Sequence, residues 1–533
     1  MEQLPLDFLH WAVAFAPIVV LLILMLARRW GLAEAGPIGF FVVVVAGLTL
    51  FKAPVQVVAV ESVKGIWNAI FILYVVVPAI MIYEVLADAK AFEPFRIGFT
   101  KLTPHLLLQM LALGWILASF FQAIAGFGTP IAVVAPLLVG LGVKPVAAVI
   151  IPLVAHAWGN TFALGAAWNA LKLVADMPAD IVLPTAFLAA AFLWLLNFMG
   201  GIIVCWLYGK WEGIKEGLPA VIAISFVHGA VQMATIPIST DNNTLFAAIA
   251  AFILVPILAK TKWYNKPSNV KSNLMQEGID KIEVAATSEE NRLSMVQASV
   301  PYIALMIMMF GITVFKPLKA FLAQWTVGFA LPETTTGLGI VNAAETAYKA
   351  FAPLTHAGTL LFISGFIGYW YLSSRRVYEP GAFGRILRNT LAKTMPSVIG
   401  VTALVAMSQV MNGTGQASVL AFGAAQATGP VYPFISPFIG VLGAFLTSSN
   451  MASNILFGNF QNLTAEVLAL DKVVILASQT AGGAIGNTIA PGNVLLGTTT
   501  AGILGKEGEC LKTTIVVAIF CAAVTGIVAM FLA

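Results

Sequence analysis

The chain has 533 residues, 59% of them hydrophobic and only 10% charged, with a mean hydropathy of +0.93, whereas a soluble globular domain carries about 25% charged residues. This excludes an ordinary soluble enzyme. The formal net charge of +4 does not point to nucleic acid either, because the lysines and arginines sit in short loops, as the positive-inside rule requires of a membrane protein.

The first apolar run, Phe8 to Ala27, is long for a signal peptide and lacks a small-residue cleavage site before Arg28-Arg29, so it reads as a retained helix. Basic loops place the cytoplasmic side at Arg28-Arg29, at Lys90, Arg96 and Lys101, at Lys210 and Lys215, from Lys260 to Arg292, and from Arg375 to Lys393. Spans near 37–51 and 66–86 satisfy the parity of the first stretch. Between Lys101 and Lys210 parity closes only if 105–143 is a hairpin that enters from the cytoplasm, turns at Ala125 to Pro130 and returns to Lys144. A span over 145–173 and another over 181–208 follow. The polar stretch 260–294 reads as a linker, with a regulatory or partner-binding loop as the alternative. In the second half, a long span near 394–428 precedes a hairpin over 431–470 that turns around Thr447 to Asn454, then spans at 473–504 and 513–532.

The expected fold is an all-α polytopic membrane protein with about 12 transmembrane helices plus two re-entrant hairpins arranged as an inverted repeat. Its sections are 1–36, a first helix and loop; 37–208, the first repeat; 209–352, connecting helices with the linker; and 353–533, the second repeat. The repeat has a local signature. Gly159-Asn160-Thr161-Phe162-Ala163-Leu164-Gly165 matches Gly486-Asn487-Thr488-Ile489-Ala490-Pro491-Gly492 as G-N-T-x-A-x-G. Each copy breaks the span that follows its hairpin, and by the topology above the two run in opposite directions.

A broken membrane helix exposes N–H groups at one half-helix start and carbonyls at the other half-helix end; the former favours an anion and the latter a cation. Small polar residues at the breaks add donors and let a ligand approach the backbone. The candidate binding residues are therefore Gly126, Gly128, Thr129, Asn160, Thr161, Thr447, Ser448, Ser449, Asn450, Ser453, Asn454, Asn487, Thr488 and Asn493. The plainer alternative is that such residues merely ease helix packing in lipid. All eight arginines lie outside the apolar runs, so an anionic ligand would be held by helix dipoles and neutral donors, which favours one or two carboxylates over a polyanion. His156, one turn before the first break, is either a proton-relay group or a structural one. Glu84 and Asp88 read as interfacial, Glu345 and His356 as weak candidates, and Asp241 as a solvated turn residue. No phosphate-binding loop, nucleophile elbow or His/Cys metal spacing is present. With Cys205, Cys510 and Cys521 scattered, no cofactor, metal site or enzymatic activity is expected.

AGFGTPIAVVAPLLVGLGVKP (125–145), LTSSNMASNILFGNFQ (446–461) and TAGGAIGNTIAPGNVLLGTTTAGILGKEGE (480–509) resemble the signatures of the bacterial and archaeal lactate permease family. The resemblance extends over most of the chain. It implies uptake of L-lactate, glycolate or a related 2-hydroxy acid in symport with a proton, in the cell (inner) membrane of a prokaryote. It also implies a wider ion-transporter superfamily with paired hairpins, whose members include homodimers. A Na⁺-coupled carrier or an exchanger of another small organic anion is the alternative. Where familiar members have glutamate before the first signature and aspartate within the second, this chain has Gln122 and Asn450. An amide carries no proton, so beside the Gln122 position the coupling role falls to His156, another acid or Na⁺.

Overall fold

Leucine-, isoleucine-, valine- and alanine-rich stretches of this length satisfy their backbone polar groups within one segment only as helices, and the computed structural model is helical almost throughout. It describes all residues except 1–3, 29, 92–93, 95–102, 125, 127 and 276–292. Arg29, Arg96, Lys101 and Arg292, parts of the expected cytoplasmic loops, and the centre of the linker lie outside the described residues.

In chain order the helices are α1 (Phe8–Leu22), α2 (Leu32–Thr49), α3 (Val55–Asp88), α4 (Leu106–Ile124, with a π-helical turn at Ala112–Ile116), α5 (Thr129–Gly140), α6 (Pro145–Ala155), α7 (Ala166–Val174), α8 (Ala179–Thr235) and α9 (Asn243–Ala259). Then follow α10 (Val300–Val314), α11 (Ala357–Ser374), α12 (Ala382–Gly413), α13 (Gln416–Thr428), α14 (Tyr432–Thr447), α15 (Asn450–Val467), α16 (Lys472–Gly486), α17 (Pro491–Thr500) and α18 (Glu507–Leu532). A two-stranded antiparallel ribbon pairs Thr334–Thr335 with Val341–Asn342.

Among the described residues nine helices are long and apolar enough to cross a membrane, or ten if the bent pair around Asn160 counts as one span. The expectation of about 12 is higher for identifiable reasons. The 57-residue α8 counts once although Gly209 and Lys210 leave helical geometry inside it, and α9 and α10 have only 17 and 15 residues. The stretch expected as one span near 394–428 is two helices. α12 starts early, at Ala382, inside the expected basic loop, because Arg385 and Lys393 find partners on α3. Arg385 donates to both carboxylate oxygens of Asp88 (2.9 and 3.1 Å) and Lys393 pairs with Glu84 at 2.5 Å. α12 then ends at Gly413, and Gly415 takes a left-handed conformation (φ +85°) before α13, one that glycine adopts without steric cost.

The two halves of the chain interleave. α12 packs along both α2 and α3, α7 lies against α15, and α8 lies against α16. The closest approach is between α14 and α16, where glycines replace side chains. A Cβ at Gly440 would meet the Gln479 carbonyl, and one at Gly482 the Pro437 carbonyl. Backbone cannot retreat as a flexible side chain can, so Gly482→Val is expected to lower the thermal midpoint of the detergent-purified protein through overpacking of about 1–3 kcal/mol. Gly508→Ala, at a position facing open space, leaves the midpoint unchanged or raised. A wild-type midpoint for Gly482→Val would contradict this packing.

Candidate functional site

Four interruptions of helical structure converge in the interior. The first is the turn between α4 and α5. Gly126 (φ +58°) and Gly128 (φ +81°) are both left-handed, and the Thr129 N–H closes the turn on the Gly126 carbonyl at 2.8 Å. Ala125 and Phe127, part of the expected hairpin tip, lie outside the described residues. The second is the break between α6 and α7, through one 3-10 turn at Ala157–Gly159 and another at Ala163–Gly165, with Leu164 and Gly165 at positive φ. It bends the chain by 65°. The third is the turn between α14 and α15, where Ser448 is left-handed (φ +55°) and Ser449 caps α15 by accepting from the Ala452 N–H. A serine in that conformation is strained, and such residues persist only where surrounding contacts hold them. The fourth is the non-helical Asn487–Ala490 between α16 and α17, after which Pro491 opens α17.

These four do not merely lie near one another; the tip of the second hairpin is docked on the first break, and the tip of the first hairpin lies against α17, which follows the second break. From the tip of the second hairpin, the Asn450 side-chain amide donates to Thr161 Oγ1 in the first break at 3.0 Å. Thr161 Oγ1 also lies 3.1 Å from Thr480 Oγ1 on α16, which in turn accepts from Asn454 Nδ2 at 2.9 Å. The tip of the first hairpin sits against α17: a Cβ on Gly128 would come within 2.6 Å of Leu496 Cδ2. Within the second half, the Gly492 N–H donates to Ser448 Oγ at 2.9 Å, and Asn493 Nδ2 donates to the Asn487 carbonyl at 3.2 Å.

Between them lies a cavity of about 410 Å³. Of the residues singled out from the sequence, Gln122, Gly126, Gly128, His156, Asn160, Thr447, Ser448, Ser449, Asn450, Asn487 and Asn493 line it. Thr129, Thr161, Ser453, Asn454 and Thr488 do not. Thr161 and Asn454 belong to the network just described, Ser453 Oγ donates to the Gly440 carbonyl at 2.8 Å, and Thr488 Oγ1 donates to the Ile485 carbonyl at 2.8 Å. Thr129 is buried at the start of α5. His156 is buried with Nδ1 2.6 Å from the Pro152 carbonyl, which makes Nδ1 the protonated nitrogen and leaves Nε2 as an acceptor. Two buried amide atoms of the lining residues have no hydrogen-bond partner among the described residues: Asn160 Nδ2, a donor, and Asn450 Oδ1, an acceptor.

The opposite wall comes from residues that sequence reasoning did not select: Gly31 to Glu34 at the start of α2, and Pro396, Ser397 and Val401 on α12. Glu34 had been read as part of the first loop, but α2 begins at Leu32 and places it in the first helical turn. The signal was present, since a carboxylate in a first turn favours the helix dipole. Among the other weighed residues, Glu84 and Asp88 are the ion-pair partners of α12 already described. His356 caps α11 by accepting from the Gly358 N–H at 3.2 Å. Glu345 lines a separate polar cavity of about 280 Å³ with Glu61, Lys64, Asp176 and Lys349. Asp241 lies in a turn, as expected, but is only partly solvated. It is half-buried against Gly165, where a Cβ would collide with its carboxylate, and it accepts from Asn169 Nδ2 at 3.2 Å. Among the described residues no group of histidine, cysteine or acidic side chains is placed to hold a metal ion.

Comparison with known proteins bears on the same length of chain. The family model for L-lactate permease matches residues 10–533. Relatives include the glycolate permease GlcA of Escherichia coli K12, 26% identical over 97% of this chain and 94% of that protein. The L-lactate permease of the same organism is 25% identical over 90% and 88%, and that of Bacillus subtilis 168 is 25% identical over 96% and 91%. A solved transporter structure, YdaH of Alcanivorax borkumensis, is 14% identical with a TM-score of 0.42, covering 87% of this chain and 86% of that one. With a match across nearly its whole length and helices suited to repeated membrane crossing, this multi-pass membrane protein belongs to the L-lactate permease family.

Proposed function

We infer that the chain is a secondary transporter of a small monocarboxylate, L-lactate, glycolate or a related 2-hydroxy acid, carried together with a cation, the proton being the preferred one. The observation that carries this reading is the convergence of four donor-rich interruptions, two from each half, on one cavity with no lysine or arginine among its described lining residues. Small-ligand sites measure about 300–1,000 Å³, and a volume of about 410 Å³ suits a compact cargo. A 2-hydroxy acid has both an acceptor-only carboxylate and a hydroxyl that donates. Asn160 and Asn450, both in the lining, carry side-chain amides, which offer the donor and acceptor types that such a pair of groups requires. The names of the relatives, L-lactate permease and glycolate permease, agree in substrate class. In this reading 37–208 and 353–533 are inverted copies embedded in a prokaryotic inner membrane, and the contact of each tip with the other half is what brings the copies together.

Purified protein in proteoliposomes is expected to show saturable counterflow of radiolabelled L-lactate or glycolate, inhibited by other 2-hydroxy acids. Neither counterflow nor accumulation of any small carboxylate would sink the substrate class, and accumulation driven by a sodium gradient alone would identify Na⁺ as the coupling ion. Replacing Asn160 by alanine removes a buried side-chain amide from the lining of the cavity. Since such losses cost about 1–3 kcal/mol, uptake is expected to fall by roughly five- to hundredfold with the membrane level of the protein unchanged. Wild-type uptake in Asn160→Ala, Asn450→Ala and Asn487→Ala alike would remove the site from this cavity.

A further inference from the structure

The walls of the cavity have an uneven charge. Among the described residues that line it, Glu34 is the only carboxylate, His156 is the only other titratable side chain, and none is cationic; Arg29, two positions before Gly31, lies outside the described residues. Glu34 is exposed, and among the described residues it enters no ion pair. Its carboxylate folds back over Gly31, with Oε2 2.8 Å from where a Cβ on that residue would stand. Among the described residues, the elements around it place no counter-charge in the lining of the cavity. α12, which packs along α2, has no charged residue from Thr394 to Gly413. On α3, Glu84 and Asp88 are held by Lys393 and Arg385, and Glu61 by Lys64 at 2.8 Å. α1 carries only His10, paired with Asp7, and Arg28 follows it in the exposed loop before α2. His156, from α6, has its Nδ1 proton directed at the Pro152 carbonyl.

A carboxylate cargo entering this space brings a second negative charge into a cavity that holds one and whose described lining residues include no cation to offset it. Two carboxylates in one site cannot both stay ionised without mutual repulsion. Occupation by the anion and neutralisation of Glu34 are then linked, and by reciprocity each strengthens the other by the same factor. We propose that Glu34 is the proton-binding group of the transport cycle, taking up one proton as the carboxylate binds and releasing it when the cargo leaves. The proposal rests on the carboxylate reading of the cavity. The structural alternative, Glu34 as a mere N-terminal helix charge, demands no proton movement.

The test uses the full-length protein in proteoliposomes with an external pH indicator. Addition of whichever 2-hydroxy acid shows counterflow is expected to alkalinise the medium with wild-type protein, and an inside-alkaline gradient to raise accumulation. In Glu34→Gln the alkalinisation disappears and gradient-driven accumulation falls at least tenfold, while Glu34→Asp restores both. Infrared difference spectra of the wild type on adding substrate show a new protonated carboxyl band, a readout that needs no variant to fold. Proton uptake persisting in Glu34→Gln, or no such band in the wild type, overturns the proposal. Counterflow without proton movement in the wild type overturns it too and leaves the cargo reading standing. Absence of counterflow with every small carboxylate removes the cargo reading, and the proposal with it.

Discussion

An apolar chain of this kind cannot leave a backbone N–H or carbonyl unpartnered inside the membrane, where each such group costs several kcal/mol. Yet this one interrupts its helices four times in its interior. The structure depends on how those interruptions are satisfied. Part of the answer is local: Gly126, Gly128 and Ser448 turn the chain tightly enough for each tip to close on itself. The rest is long-range, because Asn450 reaches Thr161, Asn454 reaches Thr480, and the α17 start is tied to Ser448. The interruptions partner one another, and the space left between them is the cavity.

That origin explains the chemistry of the cavity. Apart from Glu34 and His156, the polar groups of its described lining are amides, hydroxyls and backbone, which are neutral. In the reading proposed above, a site with no lysine or arginine among its described lining residues holds an anion through oriented dipoles, so it grips by geometry and not by net charge. Such a grip suits a carrier, which must let its cargo go on every cycle, better than the near-permanent clasp of a buried ion pair. Glu34 aside, charged groups are used elsewhere. Asp88 with Arg385 and Glu84 with Lys393 fasten α3 to α12, and charges of both signs gather around the smaller cavity beside Asp176 and Lys349.

The hairpins and breaks were legible because their signals are local. AGFGTP and TSSN interrupt apolar runs with residues that favour turns, and the two G-N-T stretches repeat in order. Charge parity then required the first hairpin without any knowledge of its packing. Three things were not legible. The early start of α12 depends on acids nearly 300 residues away on α3, so its first turns looked like a basic loop. The place of Asp241 depends on the missing side chain of Gly165, which only tertiary contact reveals. The wall formed by α2 and Ser397 is a matter of which helices lie against the tips, and no spacing along the chain encodes that choice. Glu34 fell in this gap.

The bond between Asn450 and Thr161 joins residues 289 positions apart and ties the second hairpin to the first break. Closing so long a loop carries an entropic cost that grows with length, and it cannot begin before the C-terminal part of the chain has been made. The N-terminal half therefore enters the bilayer with a bent, partly unpartnered segment at Asn160 that waits for its complement. Biogenesis of this protein has a vulnerable interval, ending only when the last helices arrive, in which the half-made site is an exposed polar seam in lipid.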